Sequence, residues 1–314
     1  MTILEAILQG VIQGATEFLP VSSSGHLSIS QHIFGIELPG ILFDVMLHLG
    51  TLIAVVFVYR ELVWRLIKEF FSLLGDLFRG RFRWSEMSGD RRLIFMLLIG
   101  LLPLFLLFCP IPGTDMKVKD VSEMLASDSG ILVEGFALLA TGLFLTLGIL
   151  ANKRAGSFRH AASRHGERAP KGGRTSLTVP DSIAIGLTQC LAAVFPGLSR
   201  SGSTMSVGLM RGVNQQTALD YSFVLGIPSI AAAALVSLKD VGSAGEAIGA
   251  VPLLVGVATA AVVGFLAIKL LRWIVTTNKL WVFVAYTLVA GLAVTGIAIF
   301  EHMTGVNLFT GRPL

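Results

Sequence analysis

Gln13–His26 reads QGATEFLPVSSSGH, and Phe195–Thr204 reads FPGLSRSGST. Both stretches sit inside apolar sequence, yet they carry Glu17, His26 and Arg200 among serines, threonines, glycines and prolines. An ionisable side chain at membrane depth costs about 2.5–3.5 kcal/mol or more, so its retention points to function. The apolar run 3–19 ends at Leu19–Pro20, and a second short helix is expected from about His26 to Phe34. Neither piece reaches the roughly 20 residues that cross a bilayer core. The pair therefore reads as a broken, re-entrant hairpin, which is tolerated only where protein or a wet cavity surrounds it. Residues 181–211, interrupted at Pro196–Gly197, read as a second such hairpin.

The rest of the chain fits a membrane setting. Of 314 residues, 54% are hydrophobic and 14% charged, against about 25% charged in a soluble domain. Full spans are expected at 41–59, 93–109, 131–151, 218–236, 251–271 and 280–300. The expected fold is thus an all-α polytopic membrane protein, with six transmembrane helices and two broken re-entrant helical hairpins. Between the first two spans, 60–92 is a charged connector whose amphipathic part, with Trp64, Phe70 and Phe71, suits a membrane surface. Glycines at 10, 14, 100, 142, 148, 256 and 264 suit close helix packing.

Charge sets the orientation. Connectors 60–92, 152–180 and 269–279 hold 8, 7 and 3 Lys/Arg, whereas the opposite connectors and tail hold Lys117, Lys119, Lys239 and Arg312. The first group should be cytoplasmic, which opens the first hairpin and both termini to the outside. The hydrophilic linker 152–180 has no apolar period and is expected to be mobile.

An internal repeat runs through the chain. Ser22–Gly25 matches Ser199–Gly202 at an offset of 177, and Asp44 with Leu49–Gly50 matches Asp220 with Leu225–Gly226 at 176. With the charge reading, the halves form an inverted-topology repeat whose site lies where the broken helices meet. The chain is then one integral membrane domain, 1–314. Its halves cover about 1–151 and 181–314, joined by the basic linker at about 152–180.

Composition excludes other classes. The net charge of +4 reflects basic loops, and no basic patch interleaves with stacking aromatics, so no nucleic-acid partner is expected. The two cysteines, Cys109 and Cys190, lie in apolar runs and outline neither a disulfide framework nor a zinc site. The N-terminal MTILEAILQG lacks a basic n-region, so no cleaved signal peptide is expected.

The polar residues suggest phosphate chemistry. Glu17 and Gln13 share a helical face, either as a hydrogen-bonded pair or as oxygen ligands for a hard divalent cation. The run from Ser22 and Ser23 to His26 offers hydroxyls and an imidazole. A serine becomes nucleophilic when a base, here His26 or Glu17, takes its proton. Arg200 among Ser199, Ser201 and Thr204 suits bidentate phosphate binding, better than it suits a cytoplasmic anchor. Asp44 and His48, one turn apart, either extend the site or pair within the bundle.

These motifs resemble the undecaprenyl-diphosphate phosphatase family linked to bacitracin resistance. Its Glu/Gln-x-x-x-Glu motif is matched by Gln13–Glu17, continuing through Phe18–Ser23 to Gly25–His26. Its Pro-Gly-x-Ser-Arg-Ser-x-x-Thr motif is matched by Pro196–Thr204, and Phe43–Asp44 and Leu49–Gly50 extend the similarity. Gln13 is the less charged option at its position, which weakens a two-carboxylate metal site. The resemblance implies hydrolysis of undecaprenyl diphosphate to undecaprenyl phosphate and phosphate, assisted by Mg²⁺ or Ca²⁺, which recycles the lipid carrier for envelope synthesis. It implies Glu17, Ser23, His26 and Arg200 as catalytic residues, with Ser23 the leading nucleophile and direct attack by water open. Ser22, Ser199, Arg200, Ser201 and Thr204 would bind substrate, and Glu17 with Gln13 would hold the cation. It further implies a bacterial cytoplasmic (inner) membrane protein with its site facing the periplasm or outer surface, in contact with membrane lipid, a homodimer being allowed. The competing reading is a polyprenyl-phosphate transporter or flippase without hydrolase activity, since inverted repeats with broken helices are also a transporter architecture.

Overall fold

The computed structural model describes residues 1–36, 41–80, 83, 87–126, 130–162, 173–241 and 249–313. Its helices are α1 (Ile3–Phe18), α2 (Ser23–Phe34), α3 (Ile41–Val58), α4 (Arg60–Phe78), α5 (Gly89–Leu101), α6 (Val118–Ala126), α7 (Leu132–Ala162), α8 (Val179–Val194), α9 (Arg200–Met210), α10 (Gln215–Val241), α11 (Ala250–Thr276) and α12 (Trp281–Thr304). Among the described residues there is no named strand, only isolated bridges.

Each hairpin begins with a capping box, in which a side chain satisfies a helix N–H while the acidic residue three on reaches back. Thr2 and Glu5 do this for α1, and Thr178 and Asp181 for α8. Both first helices are 16 residues long and both second helices shorter still, so neither pair makes two crossings. Ser22 caps α2 by accepting from the Gly25 N–H, and Ser199 caps α9 by accepting from the Gly202 N–H. The sequence repeat is therefore also a repeat of local structure.

Tertiary pairing follows the same register. α1 packs on α11 as α8 packs on α5, α3 lies against α10, and α7 against α12. The close contacts are made by glycine. A Cβ at Gly10 of α1 would lie 2.7 Å from the Gly256 oxygen, and one at Gly186 of α8 would collide with Gly100 of α5. At the hairpin tips, a Cβ at Gly25 would meet the Gly197 Cα at 3.4 Å, and one at Gly202 would meet the Pro20 Cβ at 3.1 Å. Residues 20 and 197, like 25 and 202, differ by 177. Reciprocal contacts of this kind are what a two-fold relation produces.

Among the described residues five helices are long and apolar enough to cross a membrane, α5 reaching that length through the 3₁₀ helix Leu102–Phe108 that continues it, and a sixth crossing is counted if the pair α3 and α4, bent by 86°, is one span. The expected six thus matches the upper count. The bend turns α4 aside. Arg91 of α5 binds Glu69 at 2.7 Å and Asp76 at 2.8 Å, while Trp64, Phe71 and Phe78 are exposed. A helix clasped on its charged side and apolar on the other suits a membrane surface.

The linker differs from its expectation at both described ends. Residues 152–162 continue α7, and Arg174 is fastened at the foot of the second hairpin; 163–172 lie outside the described residues, as does Asp128 of the loop 110–130. The Arg174 N–H donates to the Gly212 carbonyl, and its guanidinium lies 2.9 Å from Asp181, a fully buried carboxylate that also takes Arg211 at 3.0 Å. Loss of one partner leaves the others unmatched, so Asp181→Ala should destabilise the protein by about 1–3 kcal/mol. A thermal unfolding curve in detergent that does not move would contradict that clasp.

Candidate active site

Glu17 closes α1 at the level where Pro20, which has no N–H, stops the helix. Its buried carboxylate receives hydrogen bonds from several elements at once. The Ser23 hydroxyl donates to Oε2 at 2.6 Å, Gln13 Nε2 to the same oxygen at 3.0 Å, and Arg200 Nη2 to Oε1 at 2.6 Å. His48 Nε2 of α3 stands 3.7 Å from Oε2. The two distant sequence stretches thus meet at one carboxylate.

Arg200 is the first residue of α9, and its guanidinium lies against Gly226 of α10, so closely that a side chain there would overlap it. Nη2 is spent on Glu17, while Nη1 is buried and has no hydrogen-bond partner among the described residues. A buried, unpaired guanidinium nitrogen is costly, and this one is packed against the α10 backbone at Gly226. Gly226→Ala should push Arg200 off Glu17 and lower activity at least about tenfold, a rise of about 1.4 kcal/mol in the barrier. Wild-type turnover in that variant would show that Arg200 does not depend on this space.

His26 lies in the first turn of α2 but does not bond to Ser23. Its Nδ1 is 2.7 Å from the Ser22 carbonyl and its Nε2 2.6 Å from the Tyr286 hydroxyl of α12. Ser22 itself has φ of 74°, a conformation rarely adopted outside glycine and found where surrounding structure enforces it. The remaining hydroxyls are engaged locally. Ser22 and Ser199 act as caps, Ser201 Oγ donates to the Leu19 carbonyl at 3.3 Å, and Thr204 faces Ser222 of α10 at 2.6 Å. The structure therefore joins Gln13, Glu17, Ser23 and Arg200 directly, and holds Ser22, Ser199, Ser201 and Thr204 in the turns behind them.

Further residues complete the surroundings. Thr141 of α7 accepts from the Ser199 N–H at 3.1 Å, Ser24 accepts from the Gly197 N–H at 3.3 Å, and Ser28 donates to Glu134 at 2.7 Å. Of the pair left open in the sequence, His48 faces Glu17 and takes its other nitrogen to the Asp44 carbonyl at 2.8 Å. Thr141 and Tyr286 had no signal in the sequence, since each is an ordinary residue of an apolar span; Gly226 was marked only as the repeat counterpart of Gly50.

Fold and site define a polytopic helical membrane protein whose charged centre is assembled from two re-entrant hairpins. A family model described as "Bacitracin resistance protein BacA" matches residues 6–293, and the chain belongs to that family. It is similar to proteins named undecaprenyl-diphosphatase. One from Methanobrevibacter smithii is 36% identical, over 94% of this chain and 97% of the relative. Another from Trichormus variabilis is 36% identical over 94% and 84%, and one from Pelotomaculum thermopropionicum 35% over 95% and 97%.

Proposed function

We propose that the protein hydrolyses undecaprenyl diphosphate to undecaprenyl phosphate and inorganic phosphate. The observation that carries this reading is the Glu17 carboxylate, which joins a serine hydroxyl from one hairpin to an arginine from the other. Membership of the family, with relatives named for this activity, supplies the substrate.

In the mechanism that the geometry supports best, Glu17 is the base within reach of Ser23. Ser23 Oγ attacks the terminal phosphorus as its proton passes to Glu17; the bond to the bridging oxygen breaks and undecaprenyl phosphate leaves. Water then displaces the phosphoryl group from serine, releasing phosphate. Arg200 binds the phosphoryl oxygens through its free Nη1 while Nη2 stays on Glu17, an arrangement that places positive charge where negative charge gathers. His26 would protonate the bridging oxygen as undecaprenyl phosphate leaves. Backbone N–H groups at the start of α9 lie beside Arg200 and add donors.

Among the described residues no cluster of three His, Cys, Asp or Glu could hold a metal ion. The Gln13 Oε1 atom is nevertheless buried without a partner among the described residues, on a side chain already bonded to Glu17. One carboxylate and one amide oxygen fit Mg²⁺ or Ca²⁺ if the diphosphate and water complete the shell. Such a cation, when bound, would draw charge from the diphosphate oxygens.

The positive-inside distribution supports a multi-pass protein of the bacterial cytoplasmic membrane with the first hairpin open to the outer side. A carrier that only moves polyprenyl phosphate would employ Arg200 and the serines but leave the Glu17–Ser23 couple without a role. Purified protein in detergent, given undecaprenyl diphosphate and Mg²⁺, should release phosphate and undecaprenyl phosphate in equal amounts. Binding of the lipid with no phosphate released would overturn the reading.

A further inference from the structure

His26 is held from two sides, and one of them is not part of either motif. The Ser22 carbonyl can only accept, so the hydrogen on this side belongs to Nδ1. In the neutral ring Nε2 then carries the lone pair, and the Tyr286 O–H donates to it at 2.6 Å. In the imidazolium, Nε2–H would donate to the same phenol oxygen. One hydroxyl therefore satisfies Nε2 in both states. The two rings also stack, with centroids 5.7 Å apart and planes inclined by 16°.

Tyr286 is not placed there to fill the core, since it is 46% exposed. A tyrosine on a membrane helix more commonly turns its hydroxyl to the interface. Here α12 is drawn against α7 by glycine. A Cβ at Gly142 would lie 2.7 Å from the Leu288 side chain, and one at Gly291 2.9 Å from that of Leu139. That approach carries Tyr286 to the first turn of α2. Meanwhile Ser23, three residues before His26, gives its hydroxyl to Glu17.

We propose that Tyr286 is a positioning residue for the reaction: its hydroxyl fixes the ring plane of His26, whose tautomer the Ser22 carbonyl sets, and keeps Nε2 on the α12 side. The division of labour follows, with Glu17 serving Ser23 and His26 held apart from it. This inference rests on the hydrolase reading for its kinetic consequence.

Tyr286→Phe removes one oxygen and leaves the stacked ring. With undecaprenyl diphosphate as substrate, kcat should fall about tenfold or more, a part of the roughly 10²–10⁴-fold that positioned acid–base groups contribute, while KM stays within about twofold. In a His26→Gln background the same substitution should have almost no further effect, because the hydroxyl acts only through that imidazole. Equal loss in both backgrounds, a change in KM alone, or an unchanged kcat would overturn the proposal. A second measurement is independent of turnover. In ¹⁵N-histidine-labelled protein, with the His26 signals identified by their loss in His26→Gln, the Nε2 resonance should move in Tyr286→Phe. An unmoved resonance would show that the phenol does not engage the ring. If the wild type releases no phosphate, the hydrolase reading fails while the resonance still tests the contact.

Discussion

Glu17→Ala should reduce phosphate release by about a thousandfold or more while the protein remains folded. The carboxylate accepts from Ser23, Gln13 and Arg200 together, so its loss removes the base and frees Arg200 from its anchor at once. Positioned acid–base groups contribute about 10²–10⁴-fold to rate, and electrostatic misplacement adds to that. The variant also leaves a half-buried arginine without its counter-charge, which costs about 3–5 kcal/mol where a pair is well buried. Because Arg200 retains some exposure, 18% of its side chain, the penalty should fall below that range. Glu17→Gln keeps the shape and should be as inactive with a smaller change in stability. Near-normal phosphate release by either folded variant would remove Glu17 from the centre of the mechanism.

Arg200→Lys should be nearly as damaging as Arg200→Ala, with activity down about a hundredfold. The guanidinium places one nitrogen on Glu17 and keeps another free. A lysine ammonium is a compact charge on a flexible stem and does not reproduce that fork. The space opened by Gly226 is also shaped to a planar group. Rates of phosphate release for the two variants, measured beside unfolding temperatures, decide the matter. If lysine restores most of the activity, positive charge alone suffices and the two-point clamp is wrong.

The hairpins were legible because hydrocarbon and polarity conflict within them. Glu17, His26 and Arg200 stand out only against the apolar runs around them, and Leu19–Pro20 and Pro196–Gly197 mark the breaks. The register of the repeat was legible too, since Ser22 and Ser199 do the same capping job 177 residues apart. What escaped the sequence depends on packing between helices distant along the chain. Gly226 is legible as the repeat counterpart of Gly50, but only the approach of α9 shows that it makes room for Arg200. Tyr286 reads as one more residue of an apolar span until α12 is seen beside α2. The pairing of Asp44 with His48 was a matter of helical spacing, but that His48 turns to Glu17 required α3 to be placed against α1. The hold on Arg174 was hidden because a basic, glycine-containing stretch has no apolar period to announce it.

A shared site requires the tips of the two hairpins to meet within the membrane. Ser24 and Phe195 are both exposed, and the Ser24 hydroxyl accepts from the Gly197 N–H at 3.3 Å. Spin labels on Ser24→Cys and Phe195→Cys, with Cys109 and Cys190 replaced, give the separation by pulsed electron resonance in reconstituted bilayers. Two residues of chain span only about 7 Å, so a single population under about 20 Å is predicted. A separation near the roughly 30 Å thickness of the hydrocarbon core would put the tips on opposite sides and contradict the shared site.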